Sequence, residues 1–343
     1  MIRLTLASAS AAAILLAQAD NVDDFVRAQM RQQNIPGLSL AVVQDGRVVK
    51  AEGYGLANLR LKAAATPETV YKIASVSKQF MAAGIMVLAQ DGRLGLDDPI
   101  SRYLDGAPST WKDITIRHAL THTAGLVREP PGFDPTKVQS DADVIKSAYS
   151  RPLAFRPGEK HAYSNTGYNV LAEIIRRVSG RPWADFMTEK VFAPSGMSAT
   201  RTTAAAESMP AYTRGYVDND KLQDAPLWRA VRPGGAFVST VLDLAKWDAV
   251  LYTDRVLTEA SRRQMWSPVR LNDGSTAPYG FGWQLGNVKG RRMVHHSGGM
   301  PGARTFMARF VDDRLTIIVL MNLDDVDVDS VLYGLVALSL PSR

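Results

Sequence analysis

The chain has 343 residues, 46% of them hydrophobic and 22% charged, which excludes a disordered, collagenous or polytopic membrane protein and allows one large domain or two intimate ones. Lys and Arg number 40 against 34 Asp and Glu, a net charge of +6 with no basic run to mark a nucleic-acid surface. Cysteine is absent, so disulfides, thiolate nucleophiles and zinc–cysteine sites are excluded and any nucleophile is an oxygen.

Arg3, the apolar stretch over 4–16 and the small-x-small site Ala17-Gln18-Ala19 form the pattern of a signal peptide cleaved after Ala19, and predict a secreted or periplasmic protein. Val22, Phe25, Val26 and Met30 then fall at helical spacing up to Pro36-Gly37. Two apolar runs, 38–44 and 47–52, flank Asp45-Gly46 and predict a hairpin, because Asp-Gly supplies the positive φ angles of a type I′ turn. Helices are expected over 75–90, 141–150, 166–178, 183–191, 241–252 and 258–266, with Gly92 and Gly180 as stops. A strand over 292–296, a hairpin of 303–311 with 314–322 around Asp312-Asp313, and a closing helix over 330–340 complete the chain. Strands at both ends and helices between them predict an α/β (α+β) fold: one antiparallel sheet formed by both chain ends, flanked by N- and C-terminal helices, with a mostly helical domain inserted. In this division 1–19 is the leader, 20–72 with 275–343 the sheet domain, and 73–274 the helical domain.

The chain has no Gly-x-Ser-x-Gly elbow, no Walker loop, and no third glycine after Gly53-Tyr54-Gly55. His118 and His122 stand four apart, but the glutamate of a His-Glu-x-x-His zinc site is missing, so a helix-end histidine bonding local backbone is the simpler reading. Ser-x-x-Lys occurs twice, at Ser75-Val76-Ser77-Lys78 and Ser109-Thr110-Trp111-Lys112. Ser75 opens a long apolar helix, so Lys78 lies one turn on and on the same face, within reach of a hydroxyl at the positive end of the helix dipole. Ser109 has no such helix after it and reads as a loop residue, with Lys112 a surface charge. Taken alone, Ser75 and Lys78 read as well as an N-cap and a solvated lysine. Two further elements change this: a single Tyr-x-Asn, Tyr163-Ser164-Asn165, ahead of a helix, and His296-Ser297-Gly298-Gly299, where glycines at a strand edge let a substrate backbone approach.

With flanks Ile73-Ala74, Gln79-Phe80, Leu120-Thr121-His122-Thr123-Ala124-Gly125-Leu126, Thr166-Gly167-Tyr168 and Tyr279-Gly280-Phe281-Gly282-Trp283, these elements resemble the serine β-lactamase and penicillin-binding-protein superfamily over about residues 22–340. The likeness is to the branch that groups class C β-lactamases, D-alanyl-D-alanine carboxypeptidases and family VIII esterases. The resemblance implies a sheet domain joined to a helical domain with the site between them. It implies Ser75 as nucleophile, Lys78 or Tyr163 as its base, Asn165 orienting Lys78 and substrate, and the N–H groups of Ser75 and Gly299 as oxyanion hole. His296, Ser297, Gly298 and Gly299 would line the substrate. The activity implied is a serine hydrolase acting through an acyl-enzyme on ester or amide carbonyls, as an esterase or D-Ala-D-Ala carboxypeptidase. The alternatives are a class C-type β-lactamase and a non-catalytic cell-wall or β-lactam-binding protein. No metal or cofactor is expected; the expected partner is a small ester or cell-wall peptide-like substrate, with no nucleic acid and no obligatory protein partner. Two departures weigh against a β-lactamase: the third motif usually begins with Lys where this chain has His296, and the Ser-Asp-Asn motif and glutamate loop of class A enzymes are missing. A histidine there is expected to be mostly neutral at pH 7.5 and to charge toward pH 6, favouring uncharged substrates unless Arg304 supplies the missing cation.

Overall fold

The computed structural model describes residues 21–340 apart from 206, 207, 210 and 219, so the leader expected over 1–19 lies outside the described residues. Seven strands form one sheet: β1 (Gly37–Gln44), β2 (Arg47–Asn58), β3 (Ala63–Ala64), β4 (Gln284–Val288), β5 (Arg291–Met300), β6 (Ala303–Phe310) and β7 (Leu315–Met321). Their order is β4-β5-β6-β7-β1-β2-β3, every neighbouring pair antiparallel. The sheet thus joins the two chain ends through β1 and β7, as the strand pattern of the sequence predicts. Both of these central strands are buried along almost their whole length, which requires cover on both faces.

Alternation sorts the cover. Leu38, Leu40, Ile317 and Val319 face a layer that holds Val26 of α1 (21–32) and Leu335 of α9 (Val328–Ser339). Ala41, Val43, Ile318 and Leu320 face the opposite cluster with Phe80 and Trp247. That second layer belongs to α2 (Ser77–Gln90), α3 (Ile116–Leu120), α4 (Asp141–Ser147), α5 (Asn165–Ser179), α6 (Trp183–Met187), α7 (Val241–Val250) and α8 (Glu259–Met265). α2 is buried from Ser77 to Leu88, the mark of a helix packed on all sides.

Turns follow the predicted chemistry in part. Asp45 and Gly46 have φ of 54° and 72°, as a type I′ hairpin needs. The β6–β7 turn spans 311–314, wider than the expected Asp312-Asp313, and it is Arg314 that takes the left-handed φ, 52°. β5 runs to Met300, well beyond the expected 292–296, because β6 continues to pair with it through the glycines. β4 and its turn at Lys289-Gly290, with φ 51° and 79°, carry no alternation strong enough to predict. The helix expected over 183–191 ends at Met187 and continues as a π turn, Thr188–Phe192.

One buried ion pair fastens the helical layer to the sheet. Arg309 of β6 donates from Nε to Asp248 Oδ1 of α7 at 2.6 Å, and the same oxygen accepts from Thr316 Oγ1 of β7 at 2.6 Å. Both ions are fully buried, so removing one leaves the other unpaired in a dry interior. Asp248→Ala is expected to cost about 3–5 kcal/mol in urea unfolding, and the Asp248→Ala/Arg309→Met double variant clearly less than the sum of its single changes. Additive losses would mean that the pair does not act as a unit.

Candidate active site

Ser75 lies in a single 3-10 turn, Ala74–Val76, that feeds straight into α2. The turn is seated on the sheet: Thr305 Oγ1 of β6 donates to Ile73 O at 3.1 Å, and a Cβ on Gly298 of β5 would come within 2.5 Å of Ile73 O. Gly298 is therefore needed to let the serine's turn approach, a use distinct from the open strand edge expected of it. Ala74 takes a left-handed φ of 43°, a conformation that costs a non-glycine residue of order 1–3 kcal/mol and persists only where the surroundings impose it. Ser75 itself stays partly exposed at the seam between sheet and helices.

One turn on, Lys78 is completely buried. Its Nζ lies 3.2 Å from Ser75 Oγ, 2.8 Å from Asn165 Oδ1 and 2.8 Å from Gly234 O. Two of these partners only accept, while the serine hydroxyl can donate. A neutral amine spends its two N–H bonds on Asn165 and Gly234 and turns its lone pair to the Ser75 O–H. Burial favours that neutral form: it holds the Lys78 pKa well below the lysine range, Arg232 adds to the shift and Glu129 opposes it. Gly234 keeps this carbonyl close to the amine: a Cβ would come within 2.9 Å of Nζ, so the lysine end would have to shift.

Asn165, at the start of α5, accepts from Lys78 with its oxygen and donates its amide hydrogen to Glu129 Oε1. Glu129 Oε1 also accepts from Arg232 Nη1 at 2.8 Å, so an acid and a guanidinium fix which way the asparagine amide faces. The guanidinium is packed against the rings of Phe133 and Trp228, at 5.5 and 5.3 Å. Tyr163 stands on the other side of the lysine, with Nζ 4.8 Å from its ring centre and its phenol hydrogen-bonded to Ser75. Burial pushes the Tyr163 phenol up, more than the bond to Ser75 and the charges of Arg232 and Arg128 pull it down. Tyr163 is accordingly a phenol while Lys78 is the group biased toward its free base.

His296 is 2% exposed, with Nδ1 2.6 Å from Ser297 O and Nε2 3.0 Å from the Tyr279 hydroxyl. A carbonyl only accepts, so Nδ1 carries the proton and Nε2 accepts from Tyr279. Burial first, then Lys78, lowers the His296 pKa to about 3. The expectation that it charges toward pH 6 is thereby corrected: the imidazole is a neutral prop of the Tyr279 phenol. Pairing of β5 with β4 stops at His295, so among the described residues 296–300 are paired on one side only. Strand alternation puts Ser297 and Gly299 in the opposite phase from His296 and Gly298, with Arg304 against Gly299.

The structure therefore brings Ser75, Lys78, Tyr163, Asn165 and the His296–Gly299 strand to one seam. The other Ser-x-x-Lys does not join them: Ser109 and Lys112 are both exposed around a 3-10 turn. His118 accepts the Thr115 N–H in a capping box, and His122 accepts the Ser164 N–H. Glu129, Arg232 and Gly234 are site residues that the sequence does not single out. They come from loops whose only local signals, Pro130-Pro131 and Pro233-Gly234-Gly235, mark turns and carry no chemistry.

Comparison with known proteins shows the family of the chain. Residues 22–339 match the family described as Beta-lactamase. Penicillin-binding protein 4* of Bacillus subtilis is 36% identical over 311 residues, which cover 82% of this chain and 68% of that protein. D-aminopeptidase of Brucella anthropi is 28% identical over 316 residues, 88% of this chain and 59% of that enzyme, so this chain spans little more than half of its length. Among solved structures, the octameric penicillin-binding protein homologue from Pyrococcus abyssi superposes with a TM-score of 0.82 at 27% identity, over 93% of this chain and 77% of that one. The chain belongs to the Beta-lactamase family, within the serine β-lactamase and penicillin-binding-protein superfamily of serine hydrolases.

Proposed function

We propose that this protein hydrolyses small esters and amides, in the manner of an esterase or a D-aminopeptidase, and prefers them to carboxylate-bearing substrates such as β-lactams and D-Ala-D-Ala peptides. The observation that carries the chemistry is the Lys78 amine, satisfied by two acceptor-only groups and facing Ser75 Oγ at 3.2 Å. Ser75 Oγ attacks the carbonyl carbon and its proton moves to Lys78 Nζ. The carbonyl oxygen takes up the negative charge between the N–H groups of Ser75 and Gly299. As the tetrahedral species collapses, the Tyr163 phenol gives its proton to the departing amine or alkoxide and is reprotonated from Lys78, leaving an ester on Ser75. Water then repeats the sequence on that ester and frees the serine. The preference for uncharged substrates rests on the neutral His296, which offers a carboxylate no charge. The leader read over 1–19 supports action outside the cytoplasm.

Ser75→Ala is expected to abolish hydrolysis of p-nitrophenyl butyrate and adduct formation with a fluorophosphonate, while Ser109→Ala leaves both intact. Intact-mass spectrometry and a colour assay decide it, and a dead Ser109 variant would move the site. Tyr163→Phe should lower kcat/KM, which reports acylation, for D-alanyl-p-nitroanilide by about 10² or more and for the ester much less, since p-nitrophenolate departs without a proton. Equal losses on the two substrates would make Tyr163 the base that activates Ser75.

The ratio of kcat/KM for p-nitrophenyl butyrate to that for a penicillin should favour the ester and stay flat between pH 5.5 and 8. The sign follows from a folded-state pKa near 3 for His296, far below that window, so no proton is gained across it. A ratio that swings toward the penicillin as the pH falls would show that His296 charges and binds the carboxylate.

A further inference from the structure

His122 is used by none of these steps, yet it is 1% exposed directly behind the site. It follows α3 and takes a left-handed φ of 59°, a conformation a histidine holds only when its surroundings impose it. What imposes it is the segment that carries Tyr163. His122 O accepts the Ala162 N–H at 2.9 Å, and His122 Nδ1 accepts the Ser164 N–H at 3.1 Å. Between those two bonds lies Tyr163, whose ring stands 4.2 Å from the imidazole, centre to centre, at a tilt of 38°. One residue thus grips the tyrosine by the amide before it, the amide after it and the face of its ring. The neighbouring backbone strengthens the grip, with Gly158 N–H donating to Thr123 O and Ala154 N–H to Gly125 O, both at 2.8 Å.

We propose that His122 is a positioning residue for Tyr163, holding the phenol over Ser75 for delivery of the proton to the leaving group. The inference rests on the acyl-enzyme reading of Ser75. Histidine suits the position because it combines a flat ring to lie against a phenol with an acceptor at the δ position to meet a buried amide. An imidazolium would lose that acceptor, and burial holds the His122 pKa well below the usual histidine range. Nε2 has no hydrogen-bond partner among the described residues, so the side chain's one polar bond goes to the tyrosine's segment.

A double-mutant cycle tests this. His122→Phe keeps a ring but lacks the acceptor, and should lower kcat/KM for D-alanyl-p-nitroanilide by about 10-fold or more while lowering that for p-nitrophenyl butyrate by less. His122→Asn, whose side-chain oxygen takes the place of Nδ1, should recover most of the loss. In a Tyr163→Phe background His122→Phe should cost less than about threefold, because the group it positions is gone. Should His122→Phe fail to give a cooperative melt, His122→Gln, which moves the amide to the Nε2 position, replaces it with the same expectation. Equal losses on both substrates, full loss in the Tyr163→Phe background, or no rescue by Asn would each overturn the role. A wild-type protein that forms no fluorophosphonate adduct at Ser75 would instead overturn the reading on which the role rests.

Discussion

An amine with no access to water has to be met by acceptors on the protein, and Lys78 sets where those acceptors stand. Gly234 bares its carbonyl to Nζ because it has no side chain, and Asn165 offers an oxygen whose orientation is fixed because its amide hydrogen is held by Glu129. Glu129 is held in turn by Arg232, and Arg232 by two aromatic rings. The loop residues of the site are thus a chain of consequences of one buried nitrogen. The third direction around that nitrogen is left to Ser75, and desolvation lowers the lysine's pKa, because water that would stabilise the ammonium is excluded.

The fold supplies the burial. α2 has apolar residues on every side, so its first turn can sink Lys78 beneath the surface while the preceding 3-10 turn leaves Ser75 at the seam. The sheet meets that turn closely only because Gly298 has no side chain and Thr305 reaches Ile73 O. Joining the two chain ends in one sheet through β1 and β7 is what brings β5 and β6 against a turn more than two hundred residues earlier. At the head of its glycine-bearing strand edge this chain has a histidine folded away onto Ser297 O and Tyr279. That position of the strand is thereby neutral, and a cation, Arg304, stands against Gly299 on the same strand.

Much of this is legible in the sequence. Apolar runs around Asp-Gly mark the N-terminal hairpin, the apolar run after Ser75 separates the buried Ser-x-x-Lys from its exposed copy, and the Tyr-x-Asn and His-Ser-Gly-Gly elements fall where the candidate site assembles. What is not legible depends on distance in space. Glu129 and Arg232 meet across 103 residues, and nothing local to either marks an ion pair. β4, with Gly286 and Asn287 inside it, is a strand because β5 offers an edge to pair with, a tertiary cause that overrides weak local preference. The His296 pKa departs from the ordinary histidine value for the same reason: an exposed histidine charges near pH 6.5, and only the packing around this one shows the burial that holds it lower.

The most direct measurement is the titration of Lys78 itself. In protein labelled with 13C at the lysine ε-carbon, the Lys78 resonance is identified as the one lost in Lys78→Met, and its shift is followed with pH. Lys78 is predicted to titrate well below the ordinary lysine value of about 10.4. A Lys78 signal that titrates at that value or above it would mean that the amine is a permanent cation, and would contradict its proposed role as the group that takes the proton of Ser75.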